Sequence, residues 1–187
     1  MIIGLTGTNS AGKGTVVEYL CQQKGFHHFS ARAFIAQEIE KQGLAPTRDT
    51  MITIANRMRV EHGPDYILES LYQQAKEVGG NAILESIRGT AEVEALRNHG
   101  DFILIAVDAP IELRYQRALN RKSSTDHMTF EEFKDIEDRE MFNATNDPYA
   151  QNLKGVIEMA DSILMNTGTP EELFEQVEEV LNTAKTK

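Results

Sequence analysis

The chain has 187 residues, of which 41% are hydrophobic and 26% charged, and its formal net charge is −10. This balance predicts one folded globular domain and excludes an intrinsically disordered chain. The excess of acidic residues disfavours nonspecific binding to nucleic acid or to a membrane surface, because both polyanions would be repelled. Cys21 is the only cysteine, which excludes an intrachain disulfide. The start of the sequence has no signal-peptide pattern and no apolar span, so we expect a cytoplasmic protein. We expect it to be a monomer or a homodimer.

Short apolar runs and helical patterns alternate along the chain. The apolar runs predict strands at residues 2–6, 26–30, 82–85, 102–108 and 162–165, of which the second run is the weakest. The helical patterns lie roughly at 13–24, 31–42, 49–61, 64–78, 90–98, 110–121, 129–142 and 170–184. This order predicts an α/β fold of three layers, α/β/α, with a five-stranded parallel sheet and with ligands bound beyond the carboxyl ends of the strands.

A glycine-rich loop follows the first predicted strand and opens the first predicted helix: Gly7-Thr-Asn-Ser-Ala-Gly12-Lys13-Gly14-Thr15. Glycines let backbone N–H groups surround phosphates, the helix start adds partial positive charge, and the lysine bridges phosphoryl oxygens. The loop therefore predicts binding of ATP with Mg²⁺. The residues expected to hold the nucleotide are Gly7, Asn9, Ser10, Ala11, Gly12, Lys13, Gly14 and Thr15.

The residue after Lys13 is Gly14, where the general pattern has a Ser or Thr for the metal, and Thr15 comes one place later as a candidate magnesium ligand. This Gly-Lys-Gly-Thr variant resembles the loop of adenylate kinase and related nucleoside monophosphate kinases. The resemblance implies a P-loop NTPase fold and a single kinase domain over residues 1–187.

The segment Glu85-Ser-Ile-Arg88 resembles the strand end at which these kinases hold magnesium and the acceptor. The resemblance implies that Glu85 binds magnesium through water or orients the acceptor. Arg88 would supply a fork of donors that matches the acceptor phosphate. The alternative is a strand-end charge beside a solvated arginine.

The segment from Asp108 to Arg121 resembles the strand and helix that lead into the mobile lid of the same kinases. The resemblance implies a short lid at about 121–139, with Arg117, Arg121 and Arg139 closing over the transferred phosphoryl group. Lys13 would stabilise the same group during transfer. The alternative is a solvated helix face on which Arg114, Arg117 and Arg121 pair with Glu112 and other acids.

The acceptor and adenine sites rest on weaker likenesses. Asn166 and Gly168 lie in a turn that resembles the last turn of dephospho-CoA kinase and adenylate kinase, which packs against adenine; a plain strand-to-helix turn fits equally well. A helical insertion at about 31–79 would close over the acceptor. Its candidate contacts are Ser30, Arg32, Arg48 and Arg59.

These features together predict a kinase that acts on a small molecule. The expected reaction transfers a phosphoryl group from ATP to a nucleoside or deoxynucleoside monophosphate, giving ADP and the diphosphate. One alternative is a kinase of dephospho-CoA or another phosphorylated metabolite. Another is an ATP-binding sensor or assembly factor that hydrolyses ATP slowly without an acceptor.

Overall fold

The computed structural model describes residues 1–120, 128–141, 149 and 151–184, and only the backbone of Arg48. Its strands are β1 (Ile2–Gly7), β2 (His27–Ser30), β3 (Ala82–Glu85), β4 (Phe102–Asp108) and β5 (Ser162–Met165). All neighbouring pairs run parallel in the order β2-β3-β1-β4-β5. The predicted five-stranded parallel sheet is confirmed.

Helices connect the strands. In chain order they are α1 (Lys13–Lys24), α2 (Ala31–Lys41), α3 (Arg48–His62), α4 (Tyr66–Val78), α5 (Thr90–Arg97), α6 (Ile111–Asn120), α7 (Phe130–Met141), α8 (Leu153–Glu158) and α9 (Pro170–Ala184). The sequence patterns did not indicate α8, because six residues are too few to show a helical period. Three helices, α2 to α4, lie between β2 and β3, where the insertion was expected.

Two apolar layers sandwich the sheet and complete the three-layer architecture. On one face Ile3 and Leu5 of β1 pack with residues of α1 and α9, including Leu20 and Val177. On the other face Leu84 and Leu104 pack in a cluster with residues of α2 to α5 and α8. Every residue of β1 is buried, as expected of a central parallel strand covered on both faces.

The carboxyl ends of β1, β3 and β4 meet at one edge of the sheet. Leu5 pairs with Glu85, and Gly7 pairs with Val107. Gly7 has φ +132°, and a Cβ there would stand 2.0 Å from the Val107 carbonyl oxygen, so the close approach of β1 to β4 requires glycine. The edge brings the glycine-rich loop beside Glu85 and Asp108.

Candidate active site at the glycine-rich loop

Residues 7–15 wrap from the end of β1 into the start of α1. Gly12, the residue before the helix, has φ 108°, and Ser10 has φ 60°, left-handed conformations that curl the backbone into a concave turn. Nothing within the described residues lies within 4 Å of the position that a Gly14 Cβ would occupy. The loop therefore leaves room for phosphate oxygens beside the helix start.

The ammonium group of Lys13 lies against the loop. Its Nζ donates hydrogen bonds to the Gly7 and Thr8 carbonyl oxygens, each at 2.8 Å. Gly12 is buried and Lys13 and Thr15 are partly exposed. A positive charge is thus held at the surface of the turn, where a polyanion would need it.

Side chains from β4 and from the turn after β5 fix the loop from behind. Thr8 Oγ1 donates to Asp108 Oδ1 at 2.6 Å, and the same oxygen accepts the Ala109 N–H at 2.8 Å. Asn166 Nδ2 donates to the Ala11 carbonyl oxygen at 2.7 Å. The loop shape is therefore held by buried and partly buried polar contacts, which suits a preorganised binding site.

Arg117 joins this network through Asn166. Its Nη2 donates to Asn166 Oδ1 at 3.2 Å, and its Nη1 is a buried nitrogen without a hydrogen-bond partner among the described residues. An orphaned guanidinium donor beside a phosphate-binding turn fits a polyanionic ligand such as ATP. Gly168 lies two residues beyond Asn166, exposed in the turn before α9.

Glu85 lies at the end of β3 and is held as a carboxylate. His28 Nε2 donates to Glu85 Oε2 at 2.9 Å. This hydrogen bond is the main reason why the pKa of Glu85 is lowered; the charges of His28, Lys13 and Arg88 act in the same direction, and burial opposes them. An ionised oxygen ligand near Lys13 fits a magnesium ion.

Arg88 follows Glu85 in a loop that a buried carboxylate fixes. Glu92 Oε2 accepts the N–H groups of Arg88 and Gly89, each at 2.9 Å, and Glu92 Oε1 accepts Arg59 Nη2 at 3.2 Å. Glu92 is only 2% exposed. The two predicted acceptor arginines, Arg59 and Arg88, therefore line one pocket together with Glu92 and Gln151.

The sequence reasoning missed Glu92, although a local signal existed. Glu92 is the third residue of α5 after Gly89, and a glutamate at that position is typical of a capping box. Reading Gly89-Thr-Ala-Glu92 as a helix start would have indicated that the carboxylate turns back onto the loop of Arg88.

The sequence pattern places Arg114 on a solvated helix face, but the structure shows that it is buried, at 4% exposure. Its Nε donates to the Ala109 carbonyl at 2.6 Å, its Nη1 to the Asn9 carbonyl at 3.4 Å, and its Nη2 to Glu137 Oε1 at 2.7 Å. This arginine connects α6, the loop and α7.

Among the remaining predicted residues, Ser30 lies opposite Glu85 in the parallel register of β2 and β3. Arg139 is exposed on α7 and Arg32 is exposed on α2. Ser30 caps α2 by accepting the Ala33 N–H at 3.3 Å. Arg121 lies outside the described residues, as does the side chain of Arg48.

A glycine-rich turn after the central parallel strand, with a lysine at the start of the next helix, defines a P-loop nucleotide-binding protein with a kinase-like fold. The AAA_18 family model, described as an AAA domain, matches residues 3–143. A UPF0200 protein of Methanoregula boonei is 30% identical over 184 residues, which cover 97% of this chain and 96% of the relative. The chain therefore belongs to the AAA_18 domain family and to the UPF0200 proteins.

The chain is also similar to a longer relative and to a kinase of known structure. A UPF0200/UPF0201 protein of Archaeoglobus fulgidus is 30% identical over 185 residues, which cover 96% of this chain but 54% of that relative, so the chain spans about half of its length. The fold is similar to that of shikimate kinase from Bacteroides thetaiotaomicron, with a TM-score of 0.59, 13% identity, and coverage of 99% of this chain and 98% of that chain.

Within residues 1–120, 128–141, 149 and 151–184, no three His, Cys, Asp or Glu side chains cluster as a metal site. In the same ranges, no helix has both the length and the apolar character that crossing a bilayer requires.

Proposed function

We propose that this protein transfers the γ-phosphoryl group of ATP to a small phosphorylated acceptor, a nucleoside or deoxynucleoside monophosphate, giving ADP and the diphosphate. The observation that carries the proposal is the convergence of Lys13, Glu85 and Arg88 at one sheet edge. Lys13 and Arg88 are close enough to Glu85 for their charges to lower its pKa. The donor loop and an arginine suited to an acceptor phosphate thus lie near the same carboxylate.

The donor side is assigned to residues 7–15. Backbone N–H groups of the turn and the ammonium of Lys13 would hold the phosphates of ATP, and the orphaned Nη1 of Arg117 would reach the nucleotide from α6. Glu85 and Thr15 are the side chains that would help to hold Mg²⁺, which neutralises phosphate charge when it is bound.

The acceptor side is assigned to Arg88 with Arg59. A guanidinium presents paired N–H donors that match a phosphate, and Glu92 keeps the backbone of Arg88 and the Arg59 side chain in place. These contacts would orient one acceptor oxygen toward the γ-phosphorus, which is the main demand of phosphoryl transfer.

The state of the carboxylates supports an acceptor that is already an anion. Glu85 has a lowered pKa and is therefore a weak base. Both oxygens of Glu92 accept hydrogen bonds. Glu140 is paired with the Arg88 guanidinium, so none of these three described carboxylates around Arg88 is poised to remove a proton from a hydroxyl group. A phosphate oxygen needs no such help: it forms the new bond to the γ-phosphorus while the bond to the ADP oxygen breaks.

The shikimate kinase of similar fold acts, by its name, on shikimate, a compound with hydroxyl groups. Hydroxyl compounds are therefore the acceptor class that competes with nucleoside monophosphates.

The test measures ADP release from ATP with Mg²⁺ in the presence of AMP, CMP, UMP, GMP, their deoxy forms, dTMP, dephospho-CoA or shikimate. We expect one monophosphate to raise ADP release well above the rate without an acceptor. Equal, slow release with every compound would overturn the proposal and favour an ATP-dependent sensor or assembly factor.

A variant pair ties the activity to the site. Arg88→Ala should lower kcat/KM for the preferred acceptor about a hundredfold, because one charged donor to the reacting phosphate is lost. Arg97→Ala is the matched control, since Arg97 is a partly exposed arginine that pairs with Asp161 away from the loop. Unchanged turnover in Arg88→Ala would show that the acceptor binds elsewhere.

A further inference from the structure

Two carboxylates on α7 reach two different parts of the candidate site. Glu137 and Glu140 are three residues apart and so share one face of the helix. Glu137 binds Arg114, which contacts the glycine-rich loop at the Asn9 carbonyl. Glu140 Oε2 lies 2.8 Å from Nη1 of Arg88. Helix α7 thus connects the donor loop to the acceptor arginine.

The Arg88–Glu140 pair occupies one guanidinium nitrogen, Nη1, that an acceptor would contact. Nη1 of Arg88 also donates to Gln151 Oε1 at 3.3 Å. The side chains of Arg88 and Glu140 are 33% and 24% exposed, so the pair is partly withdrawn from water. An incoming acceptor must therefore replace the Glu140 carboxylate at the guanidinium or share the guanidinium with it.

The backbone around Arg88 is fixed, whereas its guanidinium can exchange partners. Glu92 accepts the Arg88 N–H, and the Arg88 carbonyl accepts the Asn152 N–H at 2.8 Å. On α7, Glu140 is the residue before the last, whereas Glu137 is bound to buried Arg114. Exchange at Arg88 therefore needs only the Glu140 side chain to move away, and the Arg114–Glu137 contact can stay in place.

We propose that Glu140 is a specificity-determining residue that sets how much negative charge an acceptor must bring to Arg88. The inference rests on the proposed function for the role of Arg88. An acceptor with only neutral hydroxyl groups cannot displace the Glu140 carboxylate from the Arg88 guanidinium. An acceptor with one carboxylate would displace it with little gain in binding free energy. A phosphate monoester, which carries between one and two negative charges and three acceptor oxygens, replaces it favourably.

The test uses inorganic phosphate and acetate as probes of the exchange. Each is titrated calorimetrically into the full chain saturated with Mg²⁺ and a non-hydrolysable ATP analogue, and Arg88→Ala identifies the heat that depends on Arg88. We expect Glu140→Gln to bind phosphate about threefold to tenfold more tightly than the wild type and to gain acetate binding. Glu131→Gln, an exposed glutamate on the same helix, is the control and should leave both affinities unchanged.

Equal phosphate affinity in the wild type and Glu140→Gln would overturn the role of Glu140 while leaving the Arg88 site in place. Phosphate binding that does not depend on Arg88 in any variant would instead overturn the site on which the proposed function rests. If Glu140→Gln does not fold, Glu140→Asp serves the same purpose, because it keeps the negative charge but moves the carboxylate away from Arg88 by the length of one methylene group. The shortened side chain should then give a smaller gain in phosphate affinity, and no gain would contradict the inference.

Discussion

Arg114 and Glu137 form a two-pronged ion pair that joins α6 to α7 with little exposure to water. Nη2 lies 2.7 Å from Oε1, Nη1 contacts Oε2, and the two side chains are 5% and 12% exposed. The same guanidinium donates to the Asn9 carbonyl in the glycine-rich loop. The position of the loop therefore depends on a helix that begins more than a hundred residues later in the chain.

Glu137→Gln should lower the free energy of unfolding by about 1.5 to 3 kcal/mol, because buried Arg114 loses one charged hydrogen-bond partner and keeps only Asp108 Oδ1, 3.7 Å from Nε, as a carboxylate neighbour. The urea midpoint measures the loss. Asp138→Asn removes a carboxylate from the next, exposed position of the same helix and should barely move the midpoint. Similar losses in both variants would mean that overall charge, and not the Arg114 contact, is responsible.

Gly12→Ala should destabilise the fold, whereas Gly14→Ala should not. Gly12 has φ +108°, and its Cβ would stand 2.2 Å from Asn166 Nδ2, while a Cβ at Gly14 meets nothing within 4 Å among the described residues. The left-handed backbone alone costs about 1 to 2 kcal/mol for a residue with a side chain, and the Asn166 contact adds to it. Thermal unfolding of the two variants makes the comparison, and equal melting temperatures would contradict it.

Local sequence patterns predicted the fold well, because strands, helices and the glycine-rich loop each depend on the types and spacing of neighbouring residues. The predicted strands differ from β1 to β5 by at most one residue at either end, since short apolar runs between helical patterns are typical of buried parallel strands. The loop at residues 7–15 was equally visible, because a phosphate-binding backbone demands glycines and a lysine at fixed spacing. Both signals lie within a dozen neighbouring residues.

The contacts that complete the site were not predictable in the same way. Arg114 looks like a solvated residue on α6, and its partner Glu137 lies 23 positions later, so the pair exists only once the helices pack. The Arg88–Glu140 pair likewise joins residues that no sequence spacing relates. Tertiary packing decides which of many similar charges meet, and the sequence alone does not rank them.

Stability should fall at high pH in a way that depends on Tyr72. Burial is the main cause that raises the pKa of Tyr72 to about 12, and the hydrogen bond that its hydroxyl donates to Asp101 Oδ1 at 2.7 Å adds to it. The pKa in the unfolded chain is about 10. The folded state thus prefers the neutral phenol, and the stabilisation is complete below pH about 10 and is lost as the pH rises toward 12.

Urea midpoints of the wild type and Tyr72→Phe at pH 9 and pH 11 test this assignment. The midpoint should fall less between the two pH values in Tyr72→Phe, because that variant has no phenol to ionise at this position. Tyr66→Phe leaves the Tyr72–Asp101 pair intact and should fall as the wild type does. An equal fall in all three proteins would assign the alkaline loss to other groups.

Lys13→Met should abolish tight ATP binding while leaving a folded protein. Its ammonium is held 2.8 Å from two carbonyl oxygens of the loop, so its charge is positioned before any nucleotide arrives. Loss of a charged contact to phosphate should weaken ATP binding by at least about tenfold and lower turnover by orders of magnitude. Calorimetric titration of the ATP analogue with Mg²⁺ gives the affinity, and Lys41→Met, at an exposed position of α2, is the control.

Lys13→Arg separates charge from shape. A guanidinium keeps the positive charge but is planar and larger than the compact ammonium, so it fits poorly at the position that Nζ holds, 2.8 Å from the Gly7 and Thr8 carbonyl oxygens. If the site needs a compact cation at the helix start, Lys13→Arg should recover little of the lost affinity. Near-normal ATP binding by Lys13→Arg would show that a positive charge at this position is sufficient. Near-normal ATP binding by Lys13→Met would contradict the assignment of the glycine-rich loop to the nucleotide site.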